Sequence, residues 1–208
     1  MRTTLDRTSG HKGFPQSMTA PYRQIIGACW IVFLVYWSWS APRLRPVKQS
    51  ESVASILITN LIMWAGFASL ALGIIRRHPL TTIVLPAMTA RSMAGTALVA
   101  LGIGIGIWSR SVLGANWSRV AQITQGQQLV TSGPYRFARN PIYFGILLAT
   151  CGMALTSGDL AALLGLALVF VALWRKVLSE ERLLASEFGE QYTCYAQRVK
   201  GRLIPFVL

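Results

Sequence analysis

The sequence predicts an all-α integral membrane protein: five transmembrane helices, with a hydrophilic loop and a C-terminal amphipathic helix on one face. Three observations predict it. The 208-residue chain is 53% hydrophobic and only 13% charged, where soluble domains average roughly a quarter charged residues. Its apolar residues gather into five runs, at about 24–41, 53–75, 91–109, 141–157 and 159–175, and about 20 apolar residues suffice to cross the hydrocarbon. No Asp, Glu, Lys or Arg stands in the middle of any run, whereas transporters and proton pumps usually place ionisable groups there.

Taken in order, residues 1–22 are polar and basic, with Gly10, Gly13, Pro15 and Pro21, and read as a surface or flexible tail. The first run ends in Trp37-Ser38-Trp39-Ser40. The bulky indoles beside the serines argue against signal-peptide cleavage. The first and fourth runs are short, which calls for tilt or local thinning of the bilayer. In the third run Gly102 and Gly106 form a GxxxG face for close helix contact. The glycines Gly102-Ile103-Gly104-Ile105-Gly106 lack the preceding strand a dinucleotide loop needs. About 30 residues then separate the third and fourth runs, and loops of that length are usually functional. Asn140-Pro141 starts the fourth run, Asn as N-cap and Pro at the first helical position. Ser157-Gly158-Asp159 forces a tight antiparallel turn into the fifth. Beyond it, Leu184, Phe188, Tyr192, Tyr195 and Val199 recur at spacings of three and four, a single apolar stripe on a helix. The length suits one domain, residues 1–208.

The net charge of +13 does not point to nucleic acid, because the basic residues sit at the ends of apolar runs. Thirteen of the twenty Lys and Arg fall in the first connection, the third connection and the C-terminal tail. The positive-inside rule therefore puts those three segments in the cytoplasm and the N-terminus outside. Trp39, Trp108 and Trp174 end their runs on that same side. Cys29, Cys151 and Cys194 are widely spaced, and His11 and His78 are the only histidines. No metal-ligand spacing appears, and no metal is expected.

Chemistry concentrates in two places. The run Leu129 to Gly145 holds Arg136 and Arg139 just before a helix start, where free N–H groups suit a carboxylate or phosphate. The same arginines equally serve as membrane anchors. The segment Glu180 to Pro205 follows the last apolar run. Lys176 and Glu180, four apart, can pair along a helix, or the carboxylate can face a cationic ligand group.

Leu-Val-Thr-Ser-Gly-Pro-Tyr-x-x-x-Arg-Asn-Pro-x-Tyr-x-Gly, followed by Glu-Glu-x-x-Leu-x-x-x-Phe-Gly-x-x-Tyr-x-x-Tyr, resembles the isoprenylcysteine carboxyl methyltransferase family of membrane enzymes. Phospholipid N-methyltransferases carry a related version. The resemblance covers about residues 113–205. It implies S-adenosylmethionine as methyl donor, held on the cytoplasmic side by Gln122, Gln127, Gln128, Leu129, Val130 and Tyr135, and by Asn140, Pro141, Ile142 and Tyr143. Glu180 and Glu181 would meet the donor's ammonium group. Arg139, Lys176 and Glu180 match the catalytic positions. Three residues depart from the family pattern. Asn140 and Gln127 stand where histidine is usual, so they are expected to hold the cofactor by hydrogen bonds without acid–base work. Lys176 replaces the commoner Arg and loses bidentate recognition.

The function implied is methyl transfer to a hydrophobic or lipid-like acceptor at the bilayer, favouring a carboxylate or thiol, because an amine needs a base and few are present (Glu180, Glu181, Tyr135). Small residues Gly102, Gly106, Gly145, Ala149 and Gly152 either open an acceptor groove or pack helices. A phospholipid-type N-methyltransferase, a nicotinamide-dependent reductase of the sterol reductase kind and a non-catalytic scaffold are the competing readings.

Overall fold

The computed structural model describes residues 20–40, 47–75, 84–85, 88–117 and 122–207. The expected polar tail lies largely outside these residues. Five helices account for the described part: α1 (Ala20–Trp39), α2 (Val53–Ile75), α3 (Thr89–Leu113), α4 (Pro141–Ser157) and α5 (Leu160–Arg198). All five apolar runs are helical. Among the described residues, α2, α3 and α5 are long and apolar enough to cross a membrane, and α4 is a shorter apolar helix.

Close backbone approach sets the pairing. A Cβ on Gly145 would lie 2.6 Å from the Gly102 carbonyl oxygen and 2.8 Å from the Gly106 nitrogen, so α3 and α4 meet main chain to main chain. Gly152 faces Gly95 and Val99 one turn pair further along. Gly66 and Gly165 make the corresponding contact between α2 and α5. The small residues of α3 and α4 are thus consumed by packing, and Gly102, Gly145, Ala149 and Gly152 open no acceptor groove. Gly106 also lies against the Phe33 ring of α1. Leu70, Leu147, Val169, Leu173, Val177 and Leu203 form one buried core, and Ile26, Phe33, Val99, Ile103 and Ala149 a second under α1.

Two features depart from the all-α expectation. A short strand, β1 (Val47–Ser50), pairs antiparallel with β2 (Gln122–Thr124). All four β1 residues are exposed, so no alternation of apolar and polar residues announces it, and its partner is over seventy residues away. The amphipathic segment is also no separate helix. It continues the fifth run without a break as far as Gly189, whose φ of 49° kinks α5, a conformation glycine adopts without steric cost.

The ends of the bundle differ in character. At one end the tight turn holds: Asp159 accepts from the Ala162 N–H at 2.8 Å as an N-cap, and Gly158 takes φ 69°. The Gly158 carbonyl accepts from Val84 and Leu85 there. At the other end β1, β2 and the far part of α5 meet. Lys48 pairs with Glu187 at 2.8 Å, and Ser186 donates to Gln49 at 3.2 Å. The described part of the first connection, the third connection and the C-terminal arm therefore share one end of the bundle, as the alternation of five runs implies.

Candidate active-site cleft

The loop between α3 and α4 is organised by local turns. Gly114–Asn116 and Gly133–Arg136 form short 3₁₀ turns on either side of β2. After β2 the chain reverses, with Gly126 at φ 70°. There Gln127 closes the turn, its N–H donating to the Thr124 carbonyl at 3.2 Å and its Oε1 accepting from the Thr124 N–H at 3.0 Å. Asn116 Oδ1 accepts from the Gln128 N–H at 2.8 Å. Leu129 then packs against the cluster of Tyr192, Tyr195 and Val199, which Leu184 and Phe188 also join. The apolar stripe on α5 thus exists to bury the loop, and Tyr195 adds a bond from its hydroxyl to the Tyr135 carbonyl at 2.8 Å.

These contacts frame an open cleft. Loop and helix contribute jointly. Gln122, Gln127, Gln128, Leu129, Val130, Tyr135, Arg139, Asn140, Ile142, Tyr143 and Glu180 line it. Leu113, Asn116, Trp117, Ile123, Leu183, Leu184 and Tyr195 complete the wall. These last were not singled out from the sequence as cleft residues. Asn116 and Trp117 carry no family motif, and the other five look like ordinary apolar packing.

Glu180 receives the Tyr143 hydroxyl, and the Lys176 ammonium lies 5.6 Å from the centre of the Tyr143 ring. Lys176, Tyr143 and Glu180 therefore form one cluster, although Lys176 does not line the cleft itself. Burial pushes the Tyr135 phenol well above its ordinary range, because the charged form loses hydration. Tyr135 stays protonated and is set aside as a base.

Three expected site residues also tie the structure together. Arg139 donates from Nε to Glu181 at 2.6 Å and from one terminal nitrogen to the carbonyls of Ala196 and Val199 at 3.2 and 2.8 Å. A cation on the free carbonyls at a helix C-terminus is favourable, so Arg139 caps α5. Glu181 is 9% exposed, also meets Arg202 at 3.2 Å, and is absent from the cleft wall. Asn140 lines the cleft but does not cap α4 with its side chain. Its N–H and Nδ2 both donate to the Arg202 carbonyl at 3.0 Å. Pro141 occupies the first turn of α4 and lies outside the wall. Arg139, Asn140 and Glu181 thus tie loop, helix and C-terminal segment together around the cleft.

Arg110, counted in the sequence only as a topological charge, is 2% exposed at the end of α3. It donates to the carbonyls of Gly114, at 2.9 Å, and Ser40. Its guanidinium stacks 4.4 Å from the centre of the Trp117 ring, a cation–π contact strengthened by desolvation. It fixes the indole that forms one side of the cleft. Among the described residues no group of His, Cys, Asp or Glu could hold a metal.

Residues 90–191 match the family model for phospholipid methyltransferases. The matched region holds nearly all of α3, the cleft loop, α4 and α5 as far as Gln191, which bears out the family relationship expected from the two motifs. The chain is also similar to the cobalt-zinc-cadmium resistance protein CzcN of Cupriavidus metallidurans, at 42% identity over 71 residues. That alignment covers 34% of this chain and 32% of CzcN, so the chain matches about a third of the length of this curated relative.

Proposed function

We propose that this chain, which carries a phospholipid methyltransferase-family region, is a membrane methyltransferase that uses S-adenosylmethionine to methylate a hydrophobic or lipid-like acceptor at the cytoplasmic leaflet. One observation carries the proposal: the two motif segments, separated by most of α4 and the apolar part of α5, wall a single cleft. The donor set fits a nucleoside joined to an amino acid. Amides at Asn116, Gln122 and Gln127 offer donors and acceptors together, and Trp117, Tyr135 and Ile123 offer flat or apolar surface. Glu180 supplies the carboxylate that an ammonium or sulfonium group needs.

The bound cofactor would supply an activated methyl group on a sulfonium. The protein's part is to hold and align donor and acceptor and to exclude water, so that charge neutralisation is not opposed by hydration. Tyr143 and Lys176 fix the Glu180 carboxylate. Arg110 fixes Trp117. A carboxylate or thiolate acceptor needs no base from the protein. The family model favours a second reading, an amine on a phospholipid headgroup. Such an amine must lose a proton, and Glu180 is the carboxylate on the cleft wall positioned to take it.

S-Adenosylhomocysteine is expected to bind the purified protein in detergent, and transfer of labelled methyl to a lipid extract is expected to follow. No binding, together with binding of a reduced nicotinamide dinucleotide, overturns the proposal. Glu180→Gln should weaken S-adenosylhomocysteine by about tenfold or more, the usual loss for a hydrogen bond to a charged group. Unchanged affinity removes Glu180 from the donor site. Phosphatidylethanolamine tried against a prenyl acid separates the amine acceptor from the carboxylate.

A further inference from the structure

The last residues do not trail into solvent. Leu203 is fully buried and belongs to the same apolar cluster as Leu147, Leu173 and Val177, with Ile204 packed against it. These partners lie on α4 and α5 in the apolar part of the bundle. The C-terminal segment therefore folds into a compact turn beside the start of α4, with Leu203 inserted among the helices. It then turns outward. Phe206 takes φ 66°, a backbone region few residues with a side chain enter, and is 80% exposed, with Val207 at 75%. The Phe206 ring lies 6.4 Å, edge to face, from that of Phe137, itself 50% exposed. Arg136 beside Phe137 is exposed, and the Arg202 side chain is 45% exposed.

Three large apolar side chains facing outward together, beside two arginines, are unfavourable in water. They suit the boundary between headgroups and acyl chains, where aromatic rings and cations gather. We propose that Phe137, Phe206 and Val207, flanked by Arg136 and Arg202, form a lipid-docking rim seated in the bilayer interface on the cleft side. The proposal rests on membrane insertion and not on methyl transfer. The rim is tied to the cleft by main-chain bonds: Arg139 N–H to the Gly201 carbonyl at 2.9 Å and Asn140 N–H to the Arg202 carbonyl at 3.0 Å. Lipid that seats the rim therefore also holds the start of α4 in place.

The test is a depth measurement on the full chain in bilayers of phosphatidylcholine and phosphatidylglycerol. With Cys29, Cys151 and Cys194 changed to Ala, a nitroxide is placed at Val207→Cys, at Leu61→Cys on the exposed apolar flank of α2, and at Gln191→Cys on the exposed face of α5 beyond its kink. Collision with oxygen and with a water-soluble nickel chelate is read at each. The Val207 label should be more accessible to oxygen than to the chelate, grouping with Leu61. Grouping with Gln191 overturns the proposal. Line broadening at Val207 that disappears on dilution with unlabelled protein also overturns it, because a second copy then covers the rim. Val207 is exposed, so its replacement leaves the fold intact, and Phe206→Cys provides a second reading at the same site.

Discussion

Arg139 and Glu181 form a nearly dry ion pair, their side chains 8% and 11% exposed. Removing Arg139 leaves Glu181 with the half-exposed Arg202 as its remaining cation, and frees the carbonyls of Ala196 and Val199. Arg139→Met should therefore lower stability by about 3 kcal/mol, read as a fall in unfolding temperature in detergent. Adding Glu181→Gln should return part of the loss, since the poorly compensated carboxylate is gone. Strict additivity in that double-mutant cycle would show that the two side chains are not coupled. At this scale the sequence was half legible. Arg-Asn-Pro marks the right corner of the molecule, and Glu180 lines the cleft. The bonds of Arg139 and Asn140 reach residues 42 to 62 positions away, and no local pattern carries that information. Arg110 was legible only as a charge at a helix end, because its stacking on Trp117 depends on how the chain turns at Gly114.

Helix elements follow directly from the hydrophobic runs, because apolar length and helix length are the same constraint in a membrane. The α2 and α4 boundaries coincide with the runs that predicted them. The GxxxG face likewise names a true contact, with α4 as its partner. This gives a matched pair of substitutions. Gly145→Ala drives a methyl into the α3 main chain and should cost roughly 1–3 kcal/mol. Gly104→Ala meets nothing within 4 Å and should be neutral or stabilising by up to about 1 kcal/mol. Equal unfolding temperatures for the two variants would contradict the backbone contact. The strand β1 was invisible for a physical reason: Val-Lys-Gln-Ser buries nothing, and its order comes from β2 and from Lys48 and Ser186 contacts outside itself.

For the whole molecule, the alternation of five apolar runs was the most informative signal. It grouped the first connection, the third connection and the C-terminal arm, and those three segments do meet. Their common side can be assigned by labelling in sealed vesicles. A membrane-impermeant maleimide should reach Gln49→Cys and Gln191→Cys from one side and Leu85→Cys from the other. Labelling of all three from one side would contradict a bundle that crosses the bilayer with these ends apart. A pair of helices secured twice has one further consequence. Ser157–Asp159 fastens α4 to α5 at one extremity, and Arg139 with Glu181 fastens them at the opposite one. Separating those two helices therefore requires both fastenings to break.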